Sequence, residues 1–379
     1  MSKKVIYDYF GDISEVTKKS QRTAIKSYEQ FHGESMETLI EEALLEQKNK
    51  VPYHELKVYD RLVDFRNFLV KEKYALNTII HYFATIKSAY NKCRVEIPRL
   101  PTLNTKRAKK YDVIEFEQLL TKDEIVEALS YLSLKAKARV MAMVTGGLSN
   151  EECSVLTTRQ FIDDLYPYHQ QNDDILALDF LAKSDNIVWV TKIIRQKTKK
   201  PYYAVMNPEA VSIIAQSKLK EKNLNPKLLP SNKIYFNHTC KHVNDQLGFG
   251  TAGAYCRFRP HMMRKFHATA ISGAVLDYEE QLEIREIDEL QGRGKTPTQA
   301  TYMKTNKLKQ KLLYCKVMNN VSLFNQYDYE LVDDDVVVTR RDPFVEVLKA
   351  QAPSEKVESL IKEMGFNNFK RELTKLLEG

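Results

Sequence analysis

The sequence lacks the patterns that mark several common protein classes. It has 12 glycines and neither a P-loop nor a G-x-G-x-x-G pattern, which argues against a glycine-rich nucleotide-binding fold. Its five cysteines form no C-x-x-C pair, so a reducing interior is favoured over a disulfide framework or a zinc ribbon. No run of about 18 apolar residues occurs anywhere, including after the first methionine. We therefore expect a soluble, cytoplasmic protein.

The overall charge is only mildly basic. Lysine and arginine number 58 against 50 acidic residues, a net charge of +8, which permits nucleic-acid binding without requiring it. With 379 residues and 43% hydrophobic content, the chain can form two or three domains with real cores. The positions of basic clusters therefore matter more than the total charge.

The first third of the chain predicts a polar start followed by helices. Residues 1–34 are mixed and polar, and we expect a loosely attached arm. From Ser35, which can cap a helix, apolar residues recur at helical spacing; the last set is Ile79, Phe83, Ile86, Tyr90 and Cys93. Residues 35–101 thus predict a compact helical domain.

A basic stretch follows at residues 102–117. It reads as a linker, either a solvated charged face or a strap across a phosphate backbone, and its four clustered cations are Lys106, Arg107, Lys109 and Lys110.

Residues 118–324 predict a second, mixed domain. Thr121 and Glu124 form a capping box, and the acidic, polar stretch 163–177 is expected to be a loop. Residues 187–190 and 202–206 are rich in β-branched and aromatic side chains, which predicts a hairpin with a basic tip that includes Arg195, Lys197, Lys199 and Lys200. Residues 325–379 predict an extension with an acidic turn, a strand at 336–338 and two modest helices. The fold class is mainly α with a small antiparallel β-sheet.

The most informative local pattern is His261-x-x-Arg264 on a helix that Pro260 begins. At this spacing the imidazole and the guanidinium share one helical face. An arginine fork beside a histidine suits a phosphate or phosphodiester, although the pattern alone is also typical of an ordinary surface helix.

Two further groups could carry chemistry. Tyr302 lies 38 positions after Arg264 and nine after Arg293, among several lysines, although most tyrosines are structural. His238, Cys240 and His242 alternate and would share one face of a strand, as in a metal site, but a fourth ligand is missing, and a loop before a helix near Lys241 is the plainer interpretation.

Taken in order, five stretches resemble the motifs of tyrosine recombinases of the phage-integrase family, in particular its archaeal branch. They are TGGLSNEECSVL at 145–156, RQKT at 195–198, His261-x-x-Arg264, LQGR at 290–293, and Tyr302 at the family's spacing from Arg293. The resemblance covers residues 35–325. It implies a helical, SAM-like core-binding domain followed by a recombinase catalytic domain.

The resemblance also implies a chemistry. Tyr302 would attack the scissile phosphate, Arg264 would hold its nonbridging oxygens, and Lys197 would protonate the leaving 5′-oxygen, without metal or ATP. His261 would assist at the phosphate, and Arg293 would stand where the family has His or Trp. Lys199 or Lys200 could replace Lys197, Arg293 could simply bind DNA backbone, and Tyr314 is a rival nucleophile.

One departure affects the first motif, which normally carries a second catalytic arginine. Its place falls at Ser149 or, as the better match, Asn150, and neither is charged. The explanations are an enzyme in which another cation fills in, an impaired relative that binds DNA as an accessory factor or regulator, or an altered sequence. Arg139 and Arg159 lie nearby in sequence, but neither is an obvious substitute.

The expected partner is double-stranded DNA with attachment or recombination sites. The two domains would grip it from opposite sides, with phosphate contacts from Arg195, Lys199, Lys200 and the linker cations. The resemblance further implies four protomers on two sites, a Holliday-junction intermediate and a C-terminal segment packed on a neighbouring protomer, with residues 325–379 as candidate; a monomer off DNA is compatible with this. A nucleoid-associated protein of viral, plasmid or integrated-element origin fits, and a type IB topoisomerase is a further enzyme class to test.

Overall fold

The computed structural model describes residues 15–102, 115–196, 198–253, 255–273, 282–293, 306–333 and 335–342. The chain divides into two compact units between Val113 and Ile114. The described part is mainly helical, and it contains three two-stranded antiparallel sheets. The predicted fold class, mainly α with small antiparallel β-structure, is confirmed.

The described residues of the first unit form four α-helices: α1 (Glu15–His32), α2 (Met36–Lys48), α3 (Lys57–Lys71) and α4 (Leu76–Lys92). The predicted cap at Ser35 is confirmed, because its hydroxyl accepts from the Thr38 N–H at 3.2 Å. The apolar positions predicted for α4 are also correct: Ile79, Ile86 and Tyr90 are fully buried.

The expectation of a loose arm at residues 1–34 was wrong for residues 15–32, which form α1. Ala24, Ile25 and Tyr28 of this helix are buried, and the Tyr28 and Tyr90 hydroxyls lie 3.1 Å apart in the core. The apolar stripe is short and interrupted by lysines, so the sequence pattern alone looked polar. Residues 1–14 lie outside the described residues.

The second unit begins with helices and carries a central hairpin. Its elements are α5 (Lys122–Ser130), α6 (Leu134–Gly146), α7 (Asn150–Cys153), α8 (Thr158–His169), α9 (Asp174–Lys183), β1 (Trp189–Ile194), β2 (Pro201–Met206) and α10 (Pro208–Leu219). After these come α11 (Lys233–Gln246), β3 (Thr251–Ala252), β4 (Tyr255–Cys256), α12 (Pro260–Ser272), α13 (Ile284–Leu290), α14 (Lys307–Val321), β5 (Tyr327–Val332) and β6 (Asp335–Arg340).

The predicted hairpin is confirmed, and it lies between two cores. β1 pairs antiparallel with β2, from Trp189 opposite Met206 to Ile194 opposite Pro201. Because side chains alternate along a strand, Trp189 packs into the larger core with α6 and α10, while Val190 packs into a second core with α14. Burial on both faces explains why the run is apolar without a clear alternation.

The loop predicted at residues 163–177 was wrong, because α8 continues to His169 and α9 begins at Asp174. The acidic residues support these helices instead of breaking them. The Asp173 carboxylate caps α9 by accepting from the Ile175 and Leu176 N–H groups, and Asp163 pairs with Arg159 at 3.3 Å.

His238, Cys240 and His242 lie on α11, so both the strand and the loop interpretations of this segment were wrong. On a helix, residues two apart point in different directions, and the argument for a shared face does not apply. Cys240 is buried, whereas the two histidines are exposed.

The predicted strand at 336–338 is confirmed within β6, but residues 325–342 are part of the second unit and not a free extension. Tyr327, Val336 and Val338 are buried in the core with α14. The Lys311 ammonium, 5% exposed, donates to Asp335 at 2.7 Å. Residues 325–342 thus pack on the core of their own unit, and residues 343–379 lie outside the described residues. No helix in the described ranges has both the length and the apolarity needed to cross a membrane.

Candidate active site

Arg264 is held by three separate segments of the second unit. Its Nη1 donates to the Gly147 carbonyl at 2.5 Å and to Glu152 Oε2 at 3.1 Å, and its Nη2 donates to the Gln291 carbonyl at 2.6 Å. The side chain is 13% exposed. The guanidinium is thus fixed in direction before any ligand arrives, as a phosphate clamp requires.

The carboxylate that faces Arg264 belongs to Glu152, whose side chain is 2% exposed. It also accepts from the Ser149 N–H at 2.7 Å, while the Ser149 hydroxyl accepts from the Glu152 N–H at 3.3 Å. This reciprocal pair is a capping box that begins α7. Ser149, one of the two places considered for the first-motif arginine, is therefore a helix cap.

A tight turn after α13 joins two arginines. Arg264 Nη2 donates to the carbonyl of Gln291, and Arg195 Nη1 donates to the next carbonyl, that of Gly292. Gly292 has a φ of +60°, and a Cβ there would lie 2.6 Å from a ring carbon of Tyr202. The turn is therefore locked against the hairpin, and it needs glycine.

Arg195 was predicted as a hairpin cation for DNA backbone, and the structure places its guanidinium beside Arg264 instead. The pKa of Arg195 is lowered, first by burial and then by the positive charge of Arg264, with a smaller effect from Arg293. The residue is half-buried. No sequence signal marked its place beside Arg264, because the contact depends on the hairpin lying over a turn that is 97 positions away.

Arg293 follows in the same turn. Its N–H donates to the Asp288 carbonyl at 2.7 Å, and its guanidinium lies 3.7 Å from the Asp288 carboxylate with 48% of the side chain exposed. It is more open to solvent than Arg264 and partly balanced by a surface carboxylate.

His261 begins the same helix face as Arg264 and is exposed. Partial burial, and then the positive charges of Lys265, Arg259 and Arg264, lower the pKa of its imidazole. The ring is therefore neutral at pH 7, and it can accept a hydrogen bond as well as donate one.

Asn150, the other place considered for the first-motif arginine, is bound from behind by Arg139. Arg139 Nη2 donates to the Asn150 side-chain oxygen at 2.5 Å, to its carbonyl at 2.7 Å and to the Ser154 hydroxyl at 3.1 Å. Arg139 is 0% exposed, and its guanidinium lies over the ring of Phe236 at 4.8 Å. Because the oxygen of the Asn150 amide is taken, its NH2 group points away from Arg139, 3.5 Å from Asn237 Oδ1.

An open cleft of about 790 Å³ connects Asn150 with His261 and Arg264. Its lining joins the first motif, α11 and the start of α12, and it includes Ser149, Asn150, Asn237, His238, Arg259, His261 and Arg264. The predicted His261–Arg264 pair and the Asn150 position thus face one space.

Behind the arginine clamp lies a buried histidine that the sequence did not reveal. His267 Nδ1 lies 3.1 Å from Gln291 Nε2, and burial lowers the pKa of this imidazole to about 3. A Cβ on Gly147, which has a φ of +61°, would lie 2.5 Å from the same nitrogen. The Gly146–Gly147 break therefore lets the chain pass close to His267.

The rival nucleophile Tyr314 is excluded by its surroundings. Its hydroxyl is buried and donates to the Thr145 carbonyl at 2.9 Å. Burial raises its pKa well above the usual range. Such a phenol neither reaches a substrate nor ionises.

Several predicted residues lie outside the described residues, namely Tyr302, Lys197, Lys106, Arg107, Lys109 and Lys110. At the hairpin tip, the exposed Lys199 donates to Gln196 at 3.3 Å, and Lys200 is half-buried.

The described residues bring Arg195 close to Arg264, which pairs with the buried Glu152. Arg293 follows in the turn that holds both arginines, with Asp288 beside it. The positive charge exceeds the negative charge, and the donors are planar forks. This set suits an anion with several oxygens, such as a phosphodiester.

Searches against protein-family models and against curated proteins found no match. Among solved structures, the chain is similar to the XerA recombinase, with 15% identity over 83% of this chain and 98% of that one and a TM-score of 0.33. It is also similar to the Tn1549 transposon integrase in complex with transposon right-end DNA, with 12% identity, 82% and 98% coverage and a TM-score of 0.49. Similarities this distant carry no argument about function, which rests on the site itself.

Proposed function

We propose that this protein is a tyrosine-type site-specific DNA recombinase, an integrase that cuts and rejoins DNA strands through a 3′-phosphotyrosine. The observation that supports this best is the arginine pair: Arg264 and Arg195 are held by adjacent carbonyls, and Glu152 lies beside them. The residues of this cluster fall within the ordered motifs that resemble the recombinase family.

In the proposed reaction, the Tyr302 oxygen attacks phosphorus while the bond to the 5′-oxygen breaks. The phenolic proton leaves to a base, and the ammonium of Lys197 gives a proton to the departing 5′-oxygen. Arg264 binds the nonbridging oxygens and stabilises the charge on the five-coordinate transition state. The phosphotyrosine retains the energy of the original bond, so a second 5′-hydroxyl reverses the step without ATP, and the resemblance implies no metal.

His261 and Arg293 take supporting roles in this proposal. The neutral imidazole of His261 can receive or return the nucleophile's proton, because its pKa is lowered by burial and by neighbouring cations. Arg293 supplies a further donor to the phosphate from an open position. The NH2 group of Asn150 provides an uncharged donor where the family has arginine.

The proposed substrate is duplex DNA bound mainly through phosphate. The backbone would be contacted by the cations of the predicted linker, Lys106, Arg107, Lys109 and Lys110, and by Lys199 and Lys200 at the hairpin tip. Binding through this many cations weakens steeply as salt rises. Four protomers on two sites remain the assembly that the resemblance implies.

A second candidate function is a DNA-binding relative without strand cleavage, which acts as an accessory factor. It is favoured by one observation, that both Ser149 and Asn150 are uncharged and engaged in local hydrogen bonds. Loss of a charged donor at a transition state typically costs about 10²–10³ in rate.

The test starts from sequences that the full-length protein selects out of a randomised duplex library. Selected sequences are rebuilt as nicked suicide duplexes, in which the cleaved fragment diffuses away and traps any covalent adduct. We expect a protein–DNA adduct that survives denaturation and is absent in Tyr302→Phe. Selective binding with no adduct at any nick position would contradict the recombinase and favour the accessory factor.

A plasmid relaxation assay distinguishes a site-specific recombinase from a type IB topoisomerase. A topoisomerase relaxes supercoils without sequence preference, whereas a recombinase forms its adduct at one position in the selected sites. Relaxation of plasmids that lack those sites, at the same rate as plasmids that carry them, would overturn site-specific recombination.

A further inference from the structure

The segment that resembles the first motif, residues 145–156, lacks the arginine that the resemblance implies. No residue within this segment can supply the missing positive charge. Ser149 is committed to capping α7. Asn150 presents only an amide, whose oxygen is bound by Arg139. Arg139 carries a charge but is 0% exposed, and it uses one nitrogen for all three of its hydrogen bonds, which point at Asn150 and Ser154.

The hairpin supplies another guanidinium at the right place. Arg195 Nη1 donates to the Gly292 carbonyl, next to the Gln291 carbonyl that holds Arg264. Consecutive carbonyls belong to peptide units one residue apart, so the two side chains converge on the same turn. The charge of Arg264 is close enough to lower the pKa of Arg195.

The backbone of Arg195 is fixed at the base of the hairpin tip. Its N–H donates to the Lys200 carbonyl at 2.9 Å, and its own carbonyl accepts from the Lys199 N–H at 2.8 Å. The preceding residue, Ile194, is the last of β1 and pairs with Pro201. The position of Arg195 thus follows from the hairpin itself, through the end of β1 and the backbone hydrogen bonds that close its tip.

The charge of Arg195 is not neutralised by an ion pair of its own. Within the described ranges, no carboxylate forms a salt bridge with it, and Glu152, whose charge acts on it, is paired with Arg264 at 3.1 Å. Of the five N–H donors of its guanidinium, one has a partner among the described residues, the Gly292 carbonyl. The other donors and the positive charge suit an anionic oxygen.

We propose that Arg195 is a further catalytic residue, which binds a nonbridging oxygen of the scissile phosphate and supplies the second guanidinium that the first motif lacks. This inference rests on the proposed function, since it assigns a residue to that reaction. It also reconciles an uncharged first motif with an active enzyme.

The test measures binding and chemistry separately on the selected duplexes. Arg195→Gln should lower the single-turnover rate of adduct formation by about 10²–10³, while the Kd for intact duplex changes by less than about tenfold. Arg159→Gln is the matched control, because it removes an arginine that is 60% exposed and paired with Asp163 and Asp174 on the same unit. This control should leave both quantities unchanged.

A second substrate tests whether loss of the Arg195 charge causes the slower adduct formation in Arg195→Gln. In a methylphosphonate duplex, a methyl group replaces one nonbridging oxygen at the cleavage site and removes its negative charge. If Arg195 neutralises that charge, the gap between wild type and Arg195→Gln should shrink to less than about tenfold on this duplex. A merely structural role would give the same gap on both substrates.

The outcomes separate the two proposals. No adduct from the wild type on any selected sequence overturns the recombinase and this assignment together. A wild-type adduct with an unchanged rate in Arg195→Gln, or with an equal loss on both substrates, overturns only the assignment. If Arg195→Gln unfolds, Arg195→Lys keeps the charge without the fork, and a rate equal to wild type would likewise overturn a role for the guanidinium fork.

Discussion

Arg139 Nη2 donates to the side-chain oxygen of Asn150 at 2.5 Å, from a position with no solvent exposure. The position at which the resemblance to the recombinases would put an arginine thus already has a positive charge directly behind it. An arginine at 150 would have to share this space with a second guanidinium. The absence of arginine at that position is therefore matched to its surroundings.

Asn150→Arg is expected to destabilise the protein and not to raise its cleavage rate. The change removes the side-chain acceptor of a buried charge and adds a like charge, a loss of roughly 1–3 kcal/mol in the free energy of unfolding. Urea unfolding and adduct formation measure the two effects. Asn150→Arg with Arg139→Met should recover stability. A single variant as stable as wild type and faster would contradict the account of this position.

Glu152→Gln should destabilise the fold and loosen the fixed position of Arg264, because it removes the charge that faces Arg264 in a buried site. We expect a loss of roughly 1–3 kcal/mol in unfolding free energy, together with slower adduct formation. The neighbouring Glu151→Gln is the control, since this carboxylate is exposed and pairs with Lys233 at 2.6 Å. Its effect should stay within about 0.5 kcal/mol. Equal losses in the two variants would show that burial of Glu152 is not the cause.

Gly292→Ala should displace the turn that holds both arginines. A Cβ there meets the Tyr202 ring at 2.6 Å in addition to the positive φ of +60°. Gly248→Ala is a matched control, with a φ of +64° and nothing within 4 Å. The control should lose only the backbone term of roughly 1–2 kcal/mol. A larger loss in Gly292→Ala, partly relieved by Tyr202→Ala, is the expected result, and identical losses would refute the contact.

Stability should fall with acidification because of His267. Its pKa is about 3 in the folded chain against 6.5 as the ordinary value, so between those pH values the unfolded state binds a proton that the folded state does not. The folded state is favoured above pH 6.5 and loses this advantage as pH falls toward 3, by up to about 1.4 kcal/mol per pH unit. Urea unfolding at several pH values should show a flatter curve for His267→Gln. The exposed His242→Gln is the control, and a His267→Gln curve as steep as that of wild type would exclude this histidine as the source.

Tyr314→Phe should separate structure from chemistry among the tyrosines. The hydroxyl donates to Thr145 inside the core, so its loss should cost roughly 1–2 kcal/mol of stability. The adduct should still form, in contrast to Tyr302→Phe. Loss of the adduct in a folded Tyr314→Phe protein would count against the assignment of Tyr302.

The features that the sequence predicted correctly depend on residues that lie close together along the chain. Pro260 at a helix start, the three-residue spacing of His261 and Arg264, and the hairpin are all local features, and they hold in the structure. The loop prediction for 163–177 was wrong because Asp163 pairs with Arg159 within α8 and Asp173 caps α9, and aspartates are equally common in turns. The prediction of a loose N-terminal arm was wrong for α1 because lysines interrupt the apolar stripe of this helix.

What the sequence did not show of the site depends on distant contacts. Arg195 meets a carbonyl 97 positions away, and His267 meets Gln291 across 24. Arg139 was noticed near the first motif, but its contact with Asn150 follows from the reversal of direction at Gly147, which a linear spacing does not show. No single-sequence pattern encodes such convergence.

The acceptors that hold Arg264 and Arg195 are main-chain carbonyls of Gln291 and Gly292. A main-chain acceptor is present whatever side chain stands beside it. A lineage could therefore move a catalytic charge from one motif to another without inventing a new binding partner for it. In this chain, the positions of both arginines depend on the path of the backbone at this turn, which a comparison of aligned side chains would show only in part.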